Sequence, residues 1–179
     1  MPFFNRSQTE SSMLQIQGFP PVASPTAHTL ILGSMPGEAS LQAGRYYANP
    51  RNHFWSVMGH LLNAGPELPY EVRLQRLTAA GFALWDVLKA CERQGSLDSN
   101  IVRDSIVPNN FEIFLRQHPH ITRIFFNGTT AEAAFRRHVL GKLQVPGIQF
   151  VRLPSTSPAN ARLTLEKHLQ AWQVICRTG

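Results

Sequence analysis

Four short apolar runs decide what this chain can fold into: Thr29–Leu32, Phe82–Trp85, Ile121–Phe126 and Ile148–Leu153. Each is rich in Ile, Leu or Phe, and each has the length of a buried strand and not of a helix. The segments between them carry helical spacing instead. Phe54, Val57, Met58, Leu61 and Leu62 form one apolar stripe; Ala131, Ala134, Phe135, His138 and Val139 form a second. Leu165, Leu169, Trp172 and Cys176 form a third near the C-terminus. Strands without an exposed face, alternating with amphipathic helices, predict a parallel sheet covered on both sides. The expected fold is therefore α/β: a three-layer α/β/α sandwich around a central, mainly parallel four-stranded sheet.

Local signals place the helix ends. Asn49 is expected to cap a helix from Pro50, and a second helix runs from about Tyr70 to Ala80 before Gly81. Asn109 or Asn110 caps a helix bearing Phe111, Phe114 and Leu115, and Thr129 with Glu132 reads as a capping box. Cys91 to Asn100 reads as a polar, turn-rich connection. The first residues are polar, and Pro20-Pro21 suggests an arm lying on the domain. Residues 1–17 are read as a loose N-terminal segment and 18–179 as a single domain.

The charge narrows the partners. Lys and Arg outnumber Asp and Glu by 17 to 11, a net +6 that leans toward a polyanion. The two cysteines, Cys91 and Cys176, and the scattered histidines have no metal-ligand spacing. Neither a metal nor a cofactor is expected, and His138 and His168 read as structural residues on helix faces. No run approaches the roughly 18 apolar residues that span a bilayer, and no signal peptide is evident. The expectation is a monomer without a membrane role in the cytoplasm, near the nucleoid in a prokaryote.

The four strands should open on one edge, at Gly33, Asp86, Asn127 and Pro154, where α/β sheets bind ligands. The loop after the first, Gly33 to Trp55, is rich in glycine, proline, tyrosine, asparagine and arginine and nearly free of aliphatic side chains. It offers Ser34, Met35, Tyr46, Tyr47, Asn49, Arg51 and Asn52; the later ends offer Asp86, Asn127, Ser155, Thr156, Ser157 and Asn160. Phosphate-cradling, dinucleotide-binding and nucleophile-elbow motifs are all missing. What remains, an aromatic face with amides and hydroxyls, suits a planar hydrogen-bonding group such as a nucleobase, with Arg45, Arg51 and Arg162 available to phosphates.

The order of these parts resembles the uracil-DNA glycosylase superfamily, and within it most closely the hypoxanthine-DNA (DNA-deoxyinosine) glycosylases. The resemblance is carried by Gly33-Ser34-Met35-Pro36-Gly37, Tyr46-Tyr47-Ala48-Asn49-Pro50-Arg51-Asn52, Trp85-Asp86-Val87, Gly95-Ser96-Leu97-Asp98-Ser99 and Leu153 to Asn160. It spans roughly Gly18 to the C-terminus. Two positions depart from the superfamily pattern. Met35 stands where many members carry a water-activating Asp or Asn, and Leu153 where efficient uracil enzymes carry a histidine for the departing base.

The resemblance implies a monofunctional glycosylase that hydrolyses the N-glycosidic bond of a deaminated base in DNA, hypoxanthine first. Asn49 then becomes the expected water-positioning group, with Asn52 in reserve. The base pocket is expected from Ser34, Met35, Tyr47 as the stacking ring, Asp86 as base-edge reader or helix cap, and Asn127. DNA contacts are expected from Arg51, Ser155, Thr156, Ser157 and Asn160, with Pro158 as a wedge into the vacated stack. Two other readings compete: a module that binds a flipped base without cutting, favoured by Met35 and Leu153, and a uracil- or mismatch-specific enzyme. Hydrolysis of a free nucleoside fits the positive charge less well.

Overall fold

The structure, a computed structural model, describes residues 14–177. In chain order the elements are β1 (Gln15–Gln17), β2 (Thr29–Gly33), α1 (Glu38–Ala43), α2 (Phe54–Leu62), α3 (Tyr70–Ala79), β3 (Phe82–Asp86) and β4 (Leu88–Glu92). Then follow β5 (Val107–Pro108), α4 (Phe111–Gln117), β6 (Arg123–Asn127), α5 (Thr129–His138), β7 (Gln149–Leu153) and α6 (Leu165–Trp172). The four apolar runs become β2, β3, β6 and β7. They form one parallel sheet in the order β3-β2-β6-β7.

Side chains alternate across this sheet, as a period of two requires. Leu30, Leu32, Trp85, Ile124 and Phe126 pack with Phe111, Phe114 and Phe135 on one face. Ile31, Phe82, Leu84 and Phe125 pack with Phe54, Met58, Leu77 and Trp172 on the other. Helices α4 and α5 therefore cover one side and α2, α3 and α6 the other, which is the expected three-layer arrangement.

A second, three-stranded antiparallel sheet, β1-β4-β5, was not foreseen. After Asp86 the chain continues in extended form, and β4 pairs with β1 through Gln15–Glu92, Ile16–Cys91 and Gln17–Ala90. Cys91 and Glu92 thus belong to a strand and not to the polar connection. Their pairing partner lies some seventy residues away, where no local pattern can reveal it. For the same reason Gln15–Gln17, in the segment read as loose, is hydrogen-bonded; residues 1–13 of that segment lie outside the described residues.

Three helix ends also differ from expectation. Helix α2 starts at Phe54 and not at Pro50, because Asn49 Oδ1 accepts from Arg51 N at 3.0 Å and Asn52 Oδ1 accepts from Phe54 N at 2.9 Å. Both asparagines close turns with their side chains, which competes with helix formation. The capping box at Thr129 and Glu132 does not form: Gly128 precedes α5 with φ 98°, and the Glu132 carboxylate pairs with Arg136 and Arg152. After Trp172 the chain tightens into a 3-10 turn, which buries Ile175 and leaves Cys176 exposed. Asn110, by contrast, caps α4 as expected, accepting from Ile113 N at 3.1 Å.

Candidate active site

The carboxyl ends of β2, β3 and β6, with the segment after β7, meet at a cavity of about 150 Å³. Ser34, Met35, Tyr47, Asn49, Asn52, Asp86, Asn127, Ser155, Thr156, Ser157 and Pro158 all line it. The structure thus brings together every expected site residue except Arg51 and Asn160. Arg51 is exposed on its turn outside the cavity. Asn160 donates from Nδ2 to the Ser155 carbonyl at 3.0 Å and lines an adjoining open groove.

The aromatic wall rests on a backbone exception. Tyr47 has φ 53°, in the left-handed region, and its ring stacks on Phe54 at 4.0 Å between centroids and 23° between planes. That conformation is costly for a tyrosine and is held by its surroundings. Its hydroxyl accepts from Asn127 Nδ2 at 3.2 Å, and burial drives the phenol's pKa far above its ordinary value. Gly33 lets this wall close: a Cβ there would collide with Asp86 Oδ1 and the Tyr47 hydroxyl.

Asn127 works as a brace. Its Nδ2 also donates to Thr156 Oγ1 at 2.9 Å, and its Oδ1 accepts from Thr156 N at 2.9 Å. The amide that was expected to read a base therefore joins β6 to the segment after β7, with both donors committed. Asn49 and Asn52 are better provided for ligand contact, since each Oδ1 receives one backbone N–H and retains a second lone pair.

The opposite wall is charged and buried. Asp86 is 4% exposed, does not cap a helix, and its Oδ2 has no hydrogen-bond partner. Burial, and then repulsion from Asp98, pushes its carboxyl up to about 7, against a lowering by Arg93. Asp98 lies beneath Ser34, whose hydroxyl donates toward Oδ1 at 2.9 Å and Oδ2 at 2.8 Å. Arg93, 5% exposed, donates from Nε to the Gly95 carbonyl at 2.8 Å and from Nη2 to the Pro36 carbonyl, while Nη1 has no partner.

Sequence reasoning missed Asp98, Arg93 and Ser96 as site residues. Ser96 Oγ accepts from Glu38 N at 2.9 Å and ties the Gly95–Ser99 loop to α1. The signal was present in the Gly95-Ser96-Leu97-Asp98-Ser99 run, but a charge in a polar turn reads as solvated unless its partner across the fold is known. The two apolar departures behave differently from each other. Met35 packs with Leu30, Leu32 and Leu88 and also lines the cavity. Leu153 is buried in the same apolar cluster as Phe54 and Trp172; it does not line the cavity but borders the adjoining groove.

Among the described residues no cluster of His, Cys, Asp or Glu is placed to hold a metal, and no helix is long and apolar enough to cross a membrane.

Residues 20–176 match the family described as the Uracil DNA glycosylase superfamily. The chain is 35% identical over 162 residues to a protein of Methanosarcina acetivorans named hypoxanthine DNA glycosylase, covering 90% of this chain and 98% of that one. It is 38% identical over 113 residues to a protein of the same name from Methanosarcina barkeri, covering 63% and 70%. The solution NMR structure of a candidate uracil DNA glycosylase from Methanosarcina acetivorans superposes with a TM-score of 0.73 at 32% identity, over 92% of this chain and all of that one.

Proposed function

The chain belongs to the uracil DNA glycosylase superfamily, and from that premise we propose that it is a monofunctional glycosylase removing deaminated bases from DNA, hypoxanthine foremost. The observation that carries the reading is the cavity itself. It pairs one stacking ring, Tyr47 backed by Phe54, with two amides, Asn49 and Asn52, and a buried carboxyl, Asp86, at one sheet edge. An extruded base needs this combination of a face to stack on and an edge to bond to.

Hydrolysis breaks the bond between the sugar and the base and leaves positive charge on the sugar. Adjacent DNA phosphates and hydrogen bonds to the departing base stabilise that state. Asn49 Oδ1 orients the attacking water through its second lone pair, with Asn52 as the alternative; neither amide removes a proton as a base would. Such a weak set suffices for hypoxanthine, whose O6 carbonyl and unprotonated ring nitrogens carry the developing negative charge. Met35 contributes no water-activating group and Leu153 does not reach the cavity, which disfavours strong uracil excision. Asp86 in its protonated form donates to the departing base and strengthens that bond as charge accumulates there. The hydroxyls of Ser155 and Ser157 and the Arg51 guanidinium hold the flanking phosphates, while Thr156, expected from sequence among the DNA contacts, is buried and braces Asn127 instead. The unit responsible is a single domain that includes β1 from Gln15, acting as a monomer on DNA in the cytoplasm.

The test is single-turnover excision on matched oligonucleotides carrying one deoxyinosine or one deoxyuridine, each single-stranded and paired, with abasic sites revealed by alkali. Cutting at deoxyinosine with little at deoxyuridine is the expected result. Tight retention of the lesion duplex with no cutting anywhere would instead identify a module that reads a flipped base.

A further inference from the structure

His168 lies on α6, is 1% exposed, and takes no part in the chemistry above. Its Nε2 lies 2.8 Å from the Ser155 carbonyl oxygen, and a carbonyl can only accept, so Nε2 carries the ring proton. In the neutral ring Nδ1 is then a lone pair. It faces Nδ1 of His53 at 2.9 Å, so His53 must hold its own proton on Nδ1 and donate it. The hydrogen bonds thus run one way, from His53 to His168 to the Ser155 carbonyl. The His53 backbone N–H donates in addition to the Thr156 carbonyl at 3.0 Å.

This chain joins two lips of the cavity. His53 directly follows Asn52, while Ser155 and Thr156 begin the segment after β7, and Asn52, Ser155 and Thr156 all line the cavity. We propose that His53 and His168 are positioning residues for the excision site, fixing the Asn49–Asn52 turns against the Ser155–Thr156 segment through a hydrogen-bond chain that tolerates one added proton but not two. One proton added at His53 Nε2 leaves every bond intact. A second, on His168 Nδ1, sets two N–H donors against each other and breaks the link.

The surroundings of His168 on balance disfavour a charge there. Burial lowers its pKa first, the Ser155 hydrogen bond raises it, and the His53 ring opposes a charge there. No carboxylate of the described residues forms an ion pair with either ring. On α6 itself the neighbouring charges are Glu166 and Lys167, whose backbone N–H is taken by Thr164 Oγ1. The His168 pKa is therefore held below its ordinary value, which favours the neutral ring and the intact link at neutral pH.

The proposal rests on the glycosylase reading of the cavity, so its experiment has a readout that does not need excision. Long-range 1H–15N spectra of the whole protein are expected to show His53 as the Nδ1–H tautomer and His168 as Nε2–H. The reverse tautomers would overturn it even if the protein excised nothing. In the excision assay His168→Ala is expected to slow the reaction about fivefold to tenfold, the worth of one hydrogen bond. His168→Gln keeps a donor and an acceptor at similar spacing but cannot take a proton. It is expected to restore the rate at neutral pH and to abolish the acid loss of activity that the wild type is expected to show. A His168→Gln variant that kept that acid loss would sink the idea.

Discussion

The two ends of the parallel sheet are built on opposite principles. At the amino ends of the strands, Thr29 Oγ1 accepts from Arg123 Nη2 at 3.0 Å and is hydrogen-bonded to His28 Nδ1 at 2.9 Å. The same guanidinium donates to the Ile175 carbonyl at 3.2 Å and to the Arg177 carbonyl, and lies 5.5 Å from the Phe125 ring centroid. At the carboxyl ends, Asp86 Oδ2 and Arg93 Nη1 are buried without partners, and among the described residues these are the only such side-chain atoms. An unsatisfied buried polar group costs about 1–3 kcal/mol. Of the two unpartnered atoms, Asp86 Oδ2 belongs to a residue that lines the cavity, so the cost is carried at the end where the chemistry is proposed.

The largest effect that could break this comparison concerns Asn49. Replacing it with Ala is expected to lower single-turnover excision of deoxyinosine by about 10²–10³, the range for loss of a group acting on the transition state. Its side-chain bond to Arg51 N is an exposed turn contact, so the thermal midpoint should hardly move. Near-normal excision in this variant, with a large loss in Asn52→Ala, would transfer the water-positioning role to Asn52.

Asp86 separates the two ends through pH. Its carboxyl titrates at about 7 when folded against an ordinary 3.8. The folded state therefore binds this proton more tightly than the unfolded state. The stabilisation is fully present below 3.8 and is lost as pH rises through about 7. Excision by the wild type is expected to fall about tenfold per pH unit above 7, as the protonated donor disappears. Asp86→Asn should flatten that limb and, at pH 8, unfold at higher temperature than the wild type. An unchanged alkaline limb in Asp86→Asn would remove Asp86 from the reaction.

How far the sequence reached follows the same division. The four strands and the two-sided cover were legible because each is a contiguous apolar run or a single helical stripe, and Ile31, Leu84 and Phe125 carry that signal by themselves. Asn49, Tyr47 and Asp86 could be placed at the site because they sit just beyond strand ends or in the loop that follows one. The Ser34–Asp98 bond, spanning 64 positions, could not be found this way, nor could the His53–His168 bond, spanning 115. Neither could β4, whose ladder depends on a partner from the start of the chain. The start of α2 was misplaced for a local reason, since an asparagine that can cap a helix, as Asn110 does, can equally close a turn before it, as Asn49 and Asn52 do.

At the satisfied end, Arg123→Ala removes a guanidinium whose donors reach Thr29, Ile175 and Arg177. A loss of about 1–3 kcal/mol in folding free energy is expected from denaturant titration, with excision per folded molecule unchanged. A selective loss of excision at full stability would mean that the two ends are coupled and the comparison is too simple.

The smallest effect tests what the unsatisfied end does to DNA. Leu97 is 52% exposed and lines the open groove beside the cavity, together with Ser155, Ser157 and Ala159. Its loop is pinned on both sides, by Ser96 Oγ accepting from Glu38 N and by Asp98 accepting from Ser34. A rigidly held apolar side chain at the mouth of a base pocket can enter the stack that an extruded base vacates. Pro158, the wedge expected from sequence, is half-buried in the cavity wall and less free to do so. Inserting a wedge offsets part of the unstacking cost, which is a few kcal/mol per step, and a single-stranded substrate has no paired stack to open. Leu97→Ala is therefore expected to slow excision from paired deoxyinosine a few-fold, leave the single-stranded substrate unaffected, and exceed the effect of Pro158→Ala. Equal slowing on both substrates would make Leu97 a loop residue only, and a duplex-specific loss in Pro158→Ala alone would return the wedge to the opposite wall.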